Sequence, residues 1–565
     1  MSILNAKFDE AYFSSLRDNP DFAETVSYLH ECYDKFCVGE IPATKFTDFT
    51  LFHDVGDRAT YQKNFFIRQH RMFTCVFLSL LYPEKKEYLD LLQNTVFEIC
   101  DQYVWALPAH ISDINVNNNT ELDLDATTMS MALAITKHLL GNRLHPLIKA
   151  RIDAEIDRRL VKPLLEKRWH WEFRANNWTT VCGGAAGCAL MLNRPDVFEL
   201  VKDRLTRGMR EYVDNGYKND GVCVEGAGYW SYGFGYYLEY ADMLYDYTKG
   251  RENILYSEKI ENIAAFLQKL FLDEDVVVSY GDMGMSLSIS LGFIYKLKSV
   301  YGDKVEMPPR GILIHDVHYF PFMLNEFTNY SKEYSGAKLS KDATYYMADE
   351  GWFVKRAPDY GFGARGGWNG DSHNHNDVGS FIFSKNNRQV LCDIGLRPYT
   401  RQYFEHELRY TFLESSSRGH NVPIINGEYQ KNIPGERSVS TYENGVFTVD
   451  FANIYGIDAL KKLTRHCKPT ESSVEITDEF IIEGEGTFTE RLIAVKKPEI
   501  SEGLITVDGV KIKFDASKAT ADYVMDVHTL EVDVNGNTTK GSDVYCININ
   551  IKDIKDGVFS FTIEA

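Results

Sequence analysis

Ser372-His373-Asn374-His375-Asn376-Asp377-Val378-Gly379-Ser380 runs directly into the apolar, β-prone Phe381-Ile382-Phe383. At the head of a strand, two histidines spaced i, i+2 project from one face, because side chains alternate with period two. Paired imidazoles make a poor core and a good site. One ring can hold a metal while the other meets a substrate, since both tasks need neutral nitrogens near pH 7. The stretch stands just inside the second of two differently patterned halves of the chain.

From about residue 340 onward the pattern is short β-type runs: Tyr345-Tyr346-Met347, Trp352-Phe353-Val354, Ser380 to Phe383 and Gln389 to Cys392. Turn signals follow at Lys385-Asn386-Asn387, Glu443-Asn444-Gly445, Asp508-Gly509 and Asn535-Gly536. Consecutive antiparallel strands of this kind predict a β-sandwich over 341–565. Upstream, Tyr88, Leu91, Leu92, Thr95, Val96, Ile99, Cys100 and Tyr103 form a helical stripe. Asp125 to Leu140 is a second helix, stopped by Gly141 and followed by Pro146. Similar patterns cover roughly 11–37, 57–81, 146–168, 177–193, 195–214, 228–248, 253–272 and 283–300. Helices with short connections and almost no strand pattern predict antiparallel hairpins wrapped into a bundle or toroid over 1–340. The class is α+β and multidomain, with the boundary between Lys332 and Ala343, where Ser, Lys and Gly accumulate.

The chain has 565 residues, too many for one ordinary core, and its 44% hydrophobic and 25% charged content is that of a globular protein. A formal charge of −20 excludes a nucleic-acid binder, which needs a basic face. An anionic substrate would have to be met by basic residues gathered locally. The first residues lack the basic and apolar regions of a signal peptide, and no window spans a membrane. Ten scattered cysteines without a CxxC pair read as reduced core thiols. A cytoplasmic protein is the simplest expectation.

Several segments offer chemistry. With His375, Asp393 and His420 make a His/Asp/His set suited to zinc; turn and cap roles are the alternative. Asn176-Asn177-Trp178 precedes the small-residue run Gly183-Gly184-Ala185-Ala186-Gly187; its amides cap a helix or face a ligand. Asp220 to Tyr232 is a glycine-punctuated loop carrying Glu225 and leading into a Tyr-rich helix with Tyr229 at its entrance. His110 lies in another interhelical loop. Arg365, Arg397, Arg401, Arg409 and Arg418 gather near the histidines, consistent with a local anion site.

Taken in order, Asn-Asn-Trp, Asp-Gly…Glu-Gly…Gly-Tyr, Ser-His-Asn-His-Asn-Asp-Val-Gly-Ser-Phe and Ser-Arg-Gly-His-Asn-Val resemble the heparinase II/III family of polysaccharide lyases, from about residue 105 to 430. The resemblance implies an incomplete (α/α) toroid joined to antiparallel β-sheets, and cleavage of uronic-acid-containing glycans by β-elimination in the cleft between them. It implies Tyr229 and His373 as catalytic and Asn177 as the group that neutralises the uronate carboxylate. Beside these, Asn176, Trp178, His110, Glu225 and the arginines 397, 401, 409 and 418 are substrate-binding candidates read from their own segments. His375, Asp393 and His420 resemble the zinc site of some members, a structural role here. Where several members carry a histidine after the asparagine, this chain has Trp178, which favours Tyr229 as both base and acid. His373 is then expected to hold the Tyr229 pKa low.

Three competing readings stand beside this one. A uronate C5-epimerase needs a second proton donor across the ring. A glycoside hydrolase needs a flanking carboxylate pair, for which Glu225 and Asp220 are candidates. A carbohydrate-binding protein with a retired site would not need both Tyr229 and His373.

Overall fold

Helical patterning in the first half becomes packed helices in the computed structural model, which describes residues 2–7, 9–330, 339–533 and 537–565. They are α1 (Glu10–Arg17), α2 (Ala23–Cys32), α3 (Phe46–Val55), α4 (Ala59–Leu81), α5 (Lys86–Asp101), α6 (Leu124–Leu140), α7 (Pro146–Ile156), α8 (Lys162–Glu166), α9 (Asn177–Asn193), α10 (Pro195–Gly216), the single turn α11 (Ala227–Tyr229), α12 (Gly235–Tyr247), α13 (Glu258–Ala264), α14 (Leu291–Tyr301) and α15 (Phe320–Thr328). Local chemistry sets their starts. Asp123 caps α6 by accepting the Ala126 amide at 2.8 Å, and Asn176 caps α9 by accepting the Trp178 amide at 3.2 Å. Prolines open α7 and α10, where an amide has no partner to lose.

Helix α9 is the hub, packed against α6, α10 and α12 and buried along almost its whole length. The small-residue run permits this, since a Cβ on Gly187 would collide with the Tyr240 ring. Two helices, α3 and α15, were not legible in the sequence. At ten and nine residues they are too short for periodicity to separate helix from buried strand. The helix expected from residue 283 begins only at Leu291. Before it, residues 279–288 are irregular, with bends around Gly281 and Gly284.

The second half is antiparallel sheet. Strands β1 (Ile289–Ser290) and β2 (Leu313–Ile314) make a short parallel pair within the helical region. Strands β3 (Ala343–Met347), β4 (Trp352–Ala357), β5 (Tyr360–Arg365), β6 (Phe381–Lys385) and β7 (Arg388–Leu391) then pair in chain order. Beyond them, β8 (Ile424–Ile425), β13 (Phe488–Ala494), β17 (Ala519–Val532) and β18 (Thr538–Ile551) form a four-stranded sheet in the order β17-β18-β13-β8. The remaining strands are β9 (Val439–Glu443), β10 (Val446–Asp450), β11 (Leu460–Pro469), β12 (Ser473–Ile482), β14 (Glu499–Ser501), β15 (Leu504–Val507), β16 (Val510–Phe514) and β19 (Val558–Glu564). They form an eight-stranded sheet in the order β14-β15-β16-β19-β12-β11-β10-β9.

The five-stranded sheet is the middle layer. Along β4, Trp352 and Val354 join the helical core, while Phe353 between them joins the core of the other sheets and stacks on Phe447. The expected boundary between 332 and 343 falls largely outside the described residues, as does the Asn535-Gly536 turn. All ten cysteines are buried free thiols. Among the described residues no helix is long and apolar enough to cross a membrane.

Arg465 on β11 pins these layers to the loops above them. It is fully buried and pairs with both oxygens of Asp478 on β12 at 2.8 Å and with Glu490 on β13 at 2.7 Å. Its Nη1 donates to the carbonyls of Gly379 and Asn421, each at 2.9 Å, one in the His-x-His stretch and one beside His420. Arg465→Met leaves two carboxylates buried without their cation. The expected loss is about 3–5 kcal/mol, read as a lower midpoint in chemical denaturation. An unchanged midpoint would show that the cluster is not what secures these sheets.

Candidate active site

A cleft of about 870 Å³ lies between the helices and the loops flanking the five-stranded sheet. The helical side supplies Arg58, His110, Asn176, Asn177, Trp178 and Tyr229. The sheet side supplies Asp371, His373, Tyr399, Arg401 and Arg409.

The floor is organised by Asp282, which reading the sequence alone missed. Its Oδ2 accepts from His373 Nδ1 at 2.9 Å and from the Tyr399 hydroxyl at 3.1 Å. Its Oδ1 accepts from the Tyr403 hydroxyl at 2.5 Å and Arg409 Nη2 at 2.9 Å, and lies 3.2 Å from His375 Nε2. Burial pushes this carboxyl up, but the bonds from His373 and His375 and the Arg409 charge outweigh it. Asp282 is held well below the usual carboxylate range. The two histidines donate to it through opposite nitrogens, which leaves His373 Nε2 facing Glu225 Oε1 at 3.8 Å, beyond hydrogen-bond length, and His375 Nδ1 without a hydrogen bond among the described residues.

The His-x-His geometry differs from the expected strand head. Residues 372–380 form turns ahead of β6, and His373 sits in the left-handed region at φ 57°. Direction comes from a shared acceptor instead of strand alternation. Gly281, at φ 79°, lets the chain dock: its Cβ would stand 2.8 Å from the His373 carbonyl oxygen, which accepts the Asp282 amide at 2.8 Å.

Tyr229 ends α11 just before a wide, π-type turn over Trp230–Phe234, a deformation common at functional sites. Its ring stacks on His373 with centroids 3.9 Å apart, and its hydroxyl lies 2.8 Å from that of Tyr399. Tyr399 spends its one proton on Asp282, so its oxygen accepts from Tyr229, whose lone pairs then face the cleft. Burial, and then the negative charge of Asp282, push the Tyr229 hydroxyl up. This corrects the low value expected from His373 alone.

Asn177 is buried at the start of α9. Its backbone amide donates to Glu225 Oε2 at 3.1 Å, while its side-chain Nδ2 has no well-formed hydrogen bond among the described residues. Asn176 caps the helix, and Trp178 meets the His110 ring edge-on at 4.9 Å. His110 is fixed through both nitrogens, by Asp123 at 2.7 Å and Arg58 at 3.2 Å. Glu225 lies behind Asn177 and not on the cleft wall, with its carboxyl raised by burial.

The arginines divide. Arg409 reaches the floor, and Arg401 lines the cleft while donating to main-chain carbonyls of α3. Arg397 does not line it; its guanidinium lies 3.8 Å over the Phe412 ring. Arg418 points toward Asp526 at 3.9 Å, also away from the cleft. Arg365 is buried against Asp377. Arg58, Asp371 and Tyr399 line the cleft without having been singled out in the sequence, Arg58 and Tyr399 in segments lacking any motif and Asp371 directly before the His-x-His stretch.

Behind the floor, the ligand atoms of His375, Asp393 and His420 lie within 4.8 Å of one another. His375 Nδ1, Asp393 Oδ2 and His420 Nδ1 are all buried and lack hydrogen-bond partners among the described residues. The opposite ring nitrogens are committed, His375 to Asp282 and His420 to the Glu414 carbonyl at 3.0 Å. Two oriented imidazoles and a carboxylate fit a metal ion. His110, Asp123 and Asp125 also cluster, but Asp123 is spent on the Leu107 and Ala126 amides and on His110.

No family model and no curated protein matches the sequence. Solved structures do match the fold. Heparinase III aligns over 99% of this chain and 92% of its own, with TM-score 0.62 and 13% identity. A mutant of heparan sulfate lyase HepC from Pedobacter heparinus aligns over 100% and 92%, with TM-score 0.61 and 12% identity. Chondroitin AC lyase from Streptomyces coelicolor A3, in complex with chondroitin sulphate, aligns over 96% and 83%, with TM-score 0.54 and 10% identity. The chain thus has the fold of heparinase III, an N-terminal helical region followed by C-terminal antiparallel sheets.

Proposed function

We propose that the protein is a lyase that cleaves uronic-acid-containing, glycosaminoglycan-like chains by β-elimination, leaving a 4,5-unsaturated uronate. The convergence of Tyr229, His373 and Asn177 on one cleft carries this reading. The C5 proton of a uronate is acidic only when its carboxylate is neutralised. Asn177 Nδ2 donates to that carboxylate, as does His373 Nε2 in the cationic form of the ring, and both stabilise the enolate-like charge as it develops. Tyr229 takes the C5 proton and returns one to the departing O4, which requires both on the same side of the sugar.

Tyr229 begins protonated, so its proton must first be displaced. It leaves to water in the open cleft, since Asp282 is held well below the usual carboxylate range and stays ionised, and the Tyr399 hydroxyl 2.8 Å away then donates to the Tyr229 phenolate. A C5-epimerase would need a second donor, and His110, beside Trp178, has both nitrogens engaged. His375, Asp393 and His420 are proposed to hold a structural zinc ion, which would fix the loop carrying His373 from behind.

Three outcomes are expected. Tyr229→Phe should lower turnover, followed as new ultraviolet absorbance from the conjugated product, by more than the roughly 10²–10⁴-fold of a single acid–base step. A variant retaining a tenth of the rate moves the base elsewhere.

Burial, then the neighbouring Glu350, push Asp371 on the cleft wall up to about 7. Below that pH it is neutral, and above it its charge repels an anionic substrate, so KM should rise as pH passes through about 7. Asp371→Asn should flatten this limb of the KM profile; an unchanged profile removes Asp371 from substrate binding.

Protein purified without chelator should contain about one zinc per chain, and chelation should lower Tm by several degrees, as loss of a ligand bound only by the folded state requires. Metal-free protein with an unchanged Tm would end the zinc reading and leave the tyrosine chemistry standing.

A further inference from the structure

Among the described residues four arginines line the cleft, and three of them are committed to the protein itself. Arg409 gives Nη2 to Asp282 and to the Asn374 carbonyl at 2.8 Å. Arg58 gives Nη2 to His110 Nε2 at 3.2 Å, and Arg401 gives Nη2 to the carbonyls of Phe52 at 3.2 Å and His53 at 3.3 Å. The fourth is Arg174. It is exposed, and its guanidinium forms no hydrogen bond or ion pair among the described residues. In a chain with a net charge of −20, an arginine that no carboxylate neutralises supplies a local positive field.

The backbone around Arg174 is held in place. Phe173, just before it, lies in the left-handed region at φ 61°, which a bulky residue adopts only where its surroundings dictate it. The Arg207 guanidinium lies 4.8 Å over the Phe173 ring. The Arg174 amide donates to Thr179 Oγ1 at 2.8 Å, and that hydroxyl lies 2.7 Å from the Arg174 carbonyl oxygen and 2.6 Å from that of Trp171. Thr179 is buried in the first turn of α9, two residues after Asn177. One side chain therefore ties the loop of Arg174 to the helix that presents Asn177. Asn176, between them, spends Oδ1 on its cap and leaves Nδ2 without a hydrogen bond among the described residues.

We propose that Arg174 is a specificity residue that binds a second anionic group, a sulfate ester or a further uronate carboxylate, on a sugar adjoining the one held by Asn177; this rests on the lyase reading above. A planar guanidinium meets either group through two parallel N–H bonds. Three residues span at most about 11 Å of chain, so a guanidinium rooted at position 174 reaches the neighbouring sugar. The Asn176 amide is placed to add a third donor.

The test compares the full chain with Arg174→Gln on three substrates, following initial rates by ultraviolet absorbance. They are heparan sulfate hexasaccharides, the same hexasaccharides after chemical desulfation, and an unsulfated hexosamine–uronate–hexosamine trisaccharide whose only carboxylate is the reacting one. The expected result is a roughly tenfold rise in KM on a hexasaccharide relative to the trisaccharide, as loss of a pair of charge-assisted hydrogen bonds requires. A rise confined to the sulfated hexasaccharides identifies the anion as sulfate, and a rise shared by both hexasaccharides identifies it as a carboxylate. If Arg174→Gln does not fold, Arg174→Lys, which loses the fork, is read the same way.

An equal change in KM on all three substrates, or no change on any, overturns the proposal and leaves the lyase reading intact. Absence of unsaturated product from every substrate with the unaltered protein overturns the lyase reading, and this proposal with it.

Discussion

One buried carboxylate holds the cleft together. An isolated charge in the interior is costly, and Asp282 is stable only because Tyr399, Tyr403, Arg409 and both histidines of the His-x-His stretch turn toward it. Each of these donors lies in the second half of the chain, while Asp282 lies in the first. The same few bonds therefore satisfy a charge, join two differently built halves, choose the tautomer of two imidazoles and orient a tyrosine pair. Removing this carboxylate would disturb all four at once, because they share its two oxygens.

Below that layer, support is arranged in depth. His375 presents one nitrogen to Asp282 and the other to the group shared with Asp393 and His420. Arg465 holds the carbonyls of Gly379 and Asn421, which flank the same histidines in sequence, and is itself balanced by Asp478 and Glu490. The loop carrying His373 has no regular secondary structure of its own. Part of its rigidity is borrowed from β11, β12 and β13 through the Arg465 guanidinium, and part from Asp282, Arg365 and Arg409.

Much of this was legible in the sequence where a residue's role depends on local pattern. The stripe from Tyr88 to Cys100, the cap at Asn176 and the β-type run Trp352-Phe353-Val354 each depend on near neighbours, and each gave the right element. The grouping of His375, Asp393 and His420 was also legible, less from their spacing than from the resemblance of their segments to the zinc site of some family members. Asp282 was not, because nothing around Ser279-Tyr280-Gly281 says what will face it; its meaning is entirely tertiary. The Tyr229 titration was misread for a related reason, since burial, and then the charge of that unrecognised carboxylate, raise it. Arg397 and Arg418 were grouped with the cleft by proximity in sequence, but the irregular segment between β7 and β8 turns them elsewhere.

The division of the floor between the two halves has a consequence for how the molecule comes into being. Synthesis runs from the N-terminus at about 5–20 residues per second, and domains tend to fold as they emerge. His373 follows Asp282 by 91 residues, so for about 5–18 s the helical half exists with its central carboxylate unclaimed. During that interval Asp282 must remain hydrated, and the cavity around it must stay open to water. The cleft floor is then later to dry than the rest of the helical core, sealed only when the loops of the sheet half close over it.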